Sequence, residues 1–357
     1  MITFKSIKSR TLSISFLPIS ILLVIATFIL IDQYHKLNDL KQIQRLTEVI
    51  VQGNSLVHEL QKERGRTSGF FNSKGVKFSQ ELTTQRSSSD KEIQTFFDKL
   101  NRIKTAEYTE AIDSDFEAIK GSLKELPSNR GNVDNFNGIV DDYLKYYTQT
   151  IGKILKITRD LNILVKGNYL LGKNINSYYN LLQYKERIGI TRATYAGVFT
   201  NNSFTKNLYK RAIEINIESS EYYKNYIYYS NEEQLNFYKN TVVGDDIDKT
   251  ESFIKSAMEN SESQSLNINP AEWFAAISGK IDKLKKVEEK QSNQLIEMTI
   301  LYYQDALFYI IITLVVATLV IAFMIYYAIY HSNKIVKPIK LAAYFADEIS
   351  KGNLINI

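Results

Sequence analysis

Two short runs in this chain repeat the same charged and small residues in the same order. The first is Leu60-Gln61-Lys62-Glu63-Arg64-Gly65-Arg66-Thr67-Ser68-Gly69-Phe70-Phe71. The second opens Leu182-Gln183-Tyr184-Lys185-Glu186-Arg187-Ile188-Gly189 and continues Ile190-Thr191-Arg192-Ala193-Thr194-Tyr195-Ala196-Gly197-Val198-Phe199. On a helix, Arg64 shares a face with Thr67 and Ser68, and Arg187 shares one with Thr191 and Thr194. Two such helices side by side present two guanidiniums over a small, hydroxyl-lined gap. Each planar fork can grip a planar oxyanion through two parallel bonds, and each charge-assisted bond contributes about 1.5–3 kcal/mol. Glycine inside a helix costs about 1 kcal/mol relative to alanine, so its recurrence asks for close helix packing or backbone approach to a ligand. The alternative is a solvated helix face with local ion pairs, and the recurrence keeps both readings open.

Little else in the chain points to chemistry. It has no cysteine, so disulfides and thiolate metal sites are excluded. The three histidines, His35, His58 and His331, share no metal-ligand spacing. There is no nucleophile elbow, phosphate-binding loop or dinucleotide fingerprint, so neither an enzyme nor a cofactor is expected. The run from Tyr222 to Tyr229 suits the core and surface of an amphipathic helix better than a sugar-binding face.

The elements that must position the two runs are helical. Apolar residues recur at helical spacing from Leu37 through Leu40, Ile43, Leu46, Val49, Ile50, Leu56 and Leu60. A second stripe runs Ile139, Tyr143, Tyr147, Ile151, Leu155, and a third runs Ile277, Ile281, Leu284, Val287, Leu295. Turn formers predict breaks at Ser73-Lys74-Gly75, Pro127-Ser128-Asn129-Arg130-Gly131, Asn201-Asn202-Ser203 and Asn267-Ile268-Asn269-Pro270. No stretch alternates with period two. The reading is an all-α chain of long antiparallel helices packed as a bundle.

Residues 11–31 and 306–330 are uncharged and apolar, and about 20 helical residues cover the roughly 30 Å hydrocarbon core of a bilayer. Tyrosines near both ends of the second span fit the interfacial positions aromatic side chains favour. The first span could instead be a cleavable signal peptide, but its length and the lack of an Ala-x-Ala-like site favour an uncleaved anchor. The net charge of +5 resides in the two tails, through Lys5, Lys8 and Arg10 before the first span and Lys334, Lys337, Lys340 and Lys351 after the second, against Asp347 and Glu348. Positive flanks place both termini in the cytoplasm. The basic balance is therefore a topology signal, and no nucleic-acid-binding stripe accompanies it. The expected organisation is a cytoplasmic tail over 1–10, spans over 11–31 and 306–330, an extracytoplasmic domain over 32–305, and a cytoplasmic segment over 331–357.

Three motifs in order carry a family resemblance: Leu60-Gln61-Lys62-Glu63-Arg64-Gly65, then Lys185-Glu186-Arg187 with Gly189 and Arg192-Ala193, then Glu272-Trp273-Phe274-Ala275-Ala276 leading through Lys280-Ile281-Asp282-Lys283-Leu284 to Val287-Glu288. Over roughly residues 45 to 300 the chain resembles the NIT domain, the nitrate- and nitrite-sensing domain of bacterial receptors. The resemblance implies two stacked four-helix bundles that bind nitrate or nitrite through arginines of the motif helices. Carried over by motif, these are Arg64, Arg187 and Arg192; Arg66 stands where the family often has an apolar residue. With the residues sharing their faces, the expected ligand-binding set is Arg64, Arg187, Arg192, Thr67, Ser68 and Thr191. The segment from Lys337-Pro338-Ile339 through Leu341, Tyr344-Phe345, Ile349 and Gly352-Asn353-Leu354 resembles the first helix of a HAMP linker, which implies a parallel homodimer. The chain reaches Ile357 before a second HAMP helix, so the linker reads as incomplete, from a fragment or a truncated gene. The expectation is a membrane receptor that senses a small anion and passes the signal to cytoplasmic partners not named by the sequence. The alternatives are a helical-bundle receptor for an amino or organic acid, and a membrane-anchored assembly protein that binds a partner chain.

Overall fold

The computed structural model describes residues 4–165 and 167–351. The Gly352-Asn353-Leu354 end of the linker-like segment lies outside the described residues, as do the first three residues of the N-terminal tail.

Helices follow the stripes. They are α1 (Phe4–Asn72), α2 (Ser79–Leu100), α3 (Glu110–Asp134), α4 (Val140–Asp160), α5 (Tyr169–Thr200), α6 (Lys206–Tyr229), α7 (Glu232–Thr241), α8 (Asp245–Glu259) and α9 (Pro270–Ser350). Among the described residues there is no strand. Several helix starts are marked by side-chain caps. The Thr205 hydroxyl accepts from the Leu208 amide, and Asn231 and Gln234 form a reciprocal capping box. Pro270 opens α9, where a missing N–H is harmless.

The chain divides into two compact units: residues up to Leu40 together with those from Leu301 on, and residues Lys41–Ile300. In the first unit, the most apolar windows of α1 and α9 are only 6% and 0% buried. These helices are long and apolar enough to cross a membrane, and their apolar side chains face outward, which a soluble core helix would not do. Gln33 Nε2 donates to the Thr313 hydroxyl at 3.1 Å.

In the second unit the helices form two groups. Ile43, Leu46, Val49, Leu56 and Leu60 of α1 are buried, as are Phe96 of α2, Phe116 and Ile119 of α3, and Tyr147, Ile151 and Leu155 of α4. The other group builds one core from Tyr195 and Val198 of α5, Ala212 and Tyr226 of α6, Tyr238 of α7, Ala257 of α8, and Trp273, Ile277, Leu284 and Val287 of α9. α7 is a short extra piece in what is otherwise a second set of four helices. α1 and α5 join the groups: Asn54 donates to the Tyr178 hydroxyl at 3.1 Å, and Gln61 to Glu186 at 2.6 Å.

The break expected around Pro127 is absent. Pro127 lies inside α3, which runs on to Asp134, and the turn comes at residues 135–139. Burial explains the difference. Leu123, Leu126 and Val133 continue one buried stripe past the proline, and Tyr146 donates to the Ser122 carbonyl in the turn before it at 2.6 Å. Tertiary packing outweighs the proline here.

Candidate functional site

The two repeated runs meet at their glycines. A methyl group built on Gly65 of α1 would lie 3.4 Å from Nη2 of Arg192 on α5. A methyl built on Gly189 of α5 would lie 3.4 Å from Nη2 of Arg64 on α1. Each helix thus offers bare backbone to the guanidinium of the other, and a larger side chain at either glycine would strike it. This reciprocal crossing is the close approach that the glycine recurrence asked for.

Arg64 is buried and heavily bonded. Its Nη1 donates to Glu186 Oε1 at 2.6 Å and to the Thr148 hydroxyl at 2.9 Å, and its Nη2 donates to Glu186 Oε2 at 3.2 Å. Glu186 Oε2 also accepts from Gln61 Nε2. Arg192 is only lightly held, with Nη1 donating to the Ser278 hydroxyl at 3.2 Å and the guanidinium 4.9 Å from the centre of the Phe274 ring. Burial first, then the charges of Arg64 and Arg66, pull the Arg192 guanidinium down to about 10, against the opposing pull of Asp282 and Glu186. It remains a cation at neutral pH, crowded by two others. An anion placed among the three would relieve that crowding.

The surroundings are electropositive too. His58, two turns before Arg64 on α1, is pushed down to about 2 by burial and by Lys185, Lys62, Lys285 and Arg192. Lys185 is fully buried against Glu288, which also accepts from Lys285 at 2.8 Å. Burial pushes the Glu288 carboxyl up, but the two ammonium groups hold it below its usual range. Lys185 is itself lowered, by burial above all. This trio ties α5 to α9 and leaves Lys185 no role as a free cation.

The remaining sequence candidates lie as follows. Arg187 does not face Arg64. It turns to α6, where Nε donates to Glu218 at 2.7 Å and the guanidinium stacks 4.7 Å over Tyr222. The α5 residues that the structure brings against α1 are Glu186, Gly189 and Arg192. Thr191 and Thr194 are also turned to their own helix: the Thr191 hydroxyl donates to the Arg187 carbonyl at 2.8 Å, and Thr194 to Ile190 at 3.0 Å. Thr67 is fully buried, whereas Ser68 is half-buried and accepts from Asn72 at 3.4 Å. The arginines brought together are therefore Arg64, Arg66 and Arg192.

Sequence reasoning did not single out Ser278, Phe274 or Thr148, which come from α9 and α4. Nor did it assign a partner to Trp273. That side chain is fully buried, and its indole N–H donates to the Arg192 carbonyl at 3.1 Å. The Glu272-Trp273-Phe274 motif carries part of the family resemblance, but its sequence alone pointed to no role beside Arg192.

A family model described as nitrate and nitrite sensing matches residues 55–296. In structure the chain is similar to the one described as the structure of the NasR transcription antiterminator, with a TM-score of 0.69 and 17% sequence identity. That likeness covers 90% of this chain and 86% of the other, and at this identity it speaks to the fold alone. Among curated proteins, no sequence matches this chain.

Proposed function

Because the chain belongs to the nitrate- and nitrite-sensing family, we propose that it is a membrane receptor that binds nitrate or nitrite between Arg64 and Arg192. The observation that carries this reading is the crossing of each guanidinium over the other helix's glycine. It leaves two planar forks, with Arg66 nearby, at one point of contact between α1 and α5. Among the described residues no carboxylate pairs with Arg192, which makes it the natural first contact for the anion. Ser278 stands ready as a hydroxyl donor once Arg192 shifts to the ligand. Arg187, engaged on α6, is not part of this site.

The receptor reading adds the two outward-facing apolar windows and the positive tails. These support spans over 11–31 and 306–330, a sensing domain outside the cytoplasm and cytoplasmic termini. The linker-like residues after Pro338 support a homodimer that relays the signal through paired helices. α1 carries both the first span and Arg64, and α9 carries both Ser278 and the second span. Anion binding would bias two arrangements of these helices by its difference in affinity for them.

The test is calorimetric titration of the full chain in lipid nanodiscs with nitrate, nitrite, chloride and acetate. Arg64→Ala and Arg192→Ala should each weaken nitrate about 10- to 150-fold, the equivalent of one charge-assisted interaction, while Arg187→Ala should leave the affinity nearly unchanged. No heat with either nitrogen oxyanion, or acetate outcompeting both, would sink the assignment.

A further inference from the structure

Arg64 is already occupied. Its fork holds a planar, singly charged, two-oxygen group, the Glu186 carboxylate, in the bidentate geometry that a nitrate would adopt. Both side chains are almost wholly removed from water, at 10% and 3% exposure, so solvent weakens this pairing little. Glu186 also lies on the same helix as Arg192 and within electrostatic reach of it. Any anion entering the cluster must take the carboxylate's place on Arg64 or settle beside a fixed negative charge.

Resting on the nitrate-site reading above, we infer that Glu186 is a resident competitor that sets the affinity threshold of the site and its preference for singly over doubly charged anions. The carboxylate can yield because it has a second partner: Gln61 Nε2 donates to Oε2 at 2.6 Å, a bond that does not run through Arg64. Repulsion from one fixed charge doubles when the incoming anion carries two charges. A monoanion such as nitrate therefore loses less to Glu186 than sulfate does. The carboxylate also links α1 to α5 directly, so its displacement exchanges a covalently anchored tie between the helices for a diffusible one. Glu186 is thus a specificity-determining and positioning residue rather than a ligand contact.

The experiment titrates nitrate and sulfate, at constant ionic strength, into the full chain in nanodiscs as wild type, Glu186→Gln and Glu186→Asp. Thermal unfolding of each confirms that it is folded. Glu186→Gln should bind nitrate about tenfold more tightly or better and gain still more for sulfate, so that the nitrate-over-sulfate ratio falls. Glu186→Asp keeps the charge but cannot reach both Arg64 nitrogens, and should tighten nitrate by less; it also carries the test if the glutamine variant does not fold. Nitrate affinity unchanged or weakened in a folded variant, or an unaltered ratio, overturns the inference. If wild type binds nitrate and Arg64→Ala weakens it at least about tenfold, that failure leaves the site itself standing. If neither wild type nor Glu186→Gln binds any oxyanion, both readings fall together.

Discussion

The two Lys-Glu-Arg runs use the same residues in different ways. In the α1 run the acid is structural: Glu63 is fully buried, accepts two bonds from Arg130 and one from Tyr147, and locks α1 to α3 and α4. In the α5 run the structural residue is the lysine, Lys185, buried against Glu288. The acid, Glu186, is turned to the candidate site, and the arginine is turned away from it. Each run therefore divides its charges between holding helices together and addressing the α1–α5 contact, but the division differs by one residue. A repeated string fixes which residue types are available. The phase at which each helix meets its neighbours decides what each one does.

The contrast breaks most visibly at Glu63. Glu63→Ala leaves Arg130 and the Tyr147 hydroxyl buried without their acceptor, and should destabilise the domain by about 3–5 kcal/mol in a chemical denaturation curve. The Arg130 guanidinium, which burial would lower, is held above its usual range by the hydrogen bonds it donates to Glu63 and Asp90. In the variant Asp90 remains as its partner, and an arginine keeps its charge at neutral pH. A loss below about 1 kcal/mol would remove the structural role assigned to the first run's acid.

Gly189 sharpens the comparison from the other side. Gly189→Val should push the Arg64 guanidinium off its seat and weaken nitrate at least about tenfold, and should lower the unfolding midpoint as well, because Glu186 loses its buried partner. The matching change at Gly65 should act on Arg192 in the same way. Equal nitrate affinity in both valine variants and wild type would refute the reciprocal crossing as a ligand site.

His58 gives a pH signature. Its folded value of about 2 lies below its ordinary 6.5, so the unfolded chain takes up a proton that the folded domain refuses. Stability from this residue is complete above 6.5 and is lost as pH falls from there toward 2, by up to about 1.4 kcal/mol per pH unit. Unfolding curves between pH 6.5 and 4.5 should be flatter in His58→Asn than in wild type. Parallel curves would mean that His58 charges freely and that the surroundings of the first run are not electropositive.

Thr191 should matter least. Its hydroxyl serves its own helix, and Thr191→Val should cost no more than about 1 kcal/mol of stability and leave nitrate binding unaltered.

The fold was largely legible because amphipathic stripes are local, and Leu46, Leu60, Ile151 and Leu284 are fully buried where the periodicity placed them. Pro127 misled because its penalty is local while the burial of Leu123, Leu126 and Val133 is not. The candidate site was legible only in part. The repeated glycines marked two segments that meet, and Arg64 and Arg192 both stand at that contact. Which arginine of α5 faces α1, and that Ser278, Phe274 and Thr148 complete the surroundings, depends on packing between helices far apart in sequence. No spacing rule within one helix contains that information.

Trp273 gives the domain a built-in optical reporter. It is the sole tryptophan in the chain. Its indole is shielded from water, packed 5.4 Å from Tyr195 and 5.3 Å from Phe199, and bonded to the backbone of Arg192 itself. Its emission should be blue-shifted, resistant to collisional quenchers, and sensitive to any movement of the turn that carries Arg192. Anion occupancy could then be followed in real time, in unlabelled protein, from a single wavelength.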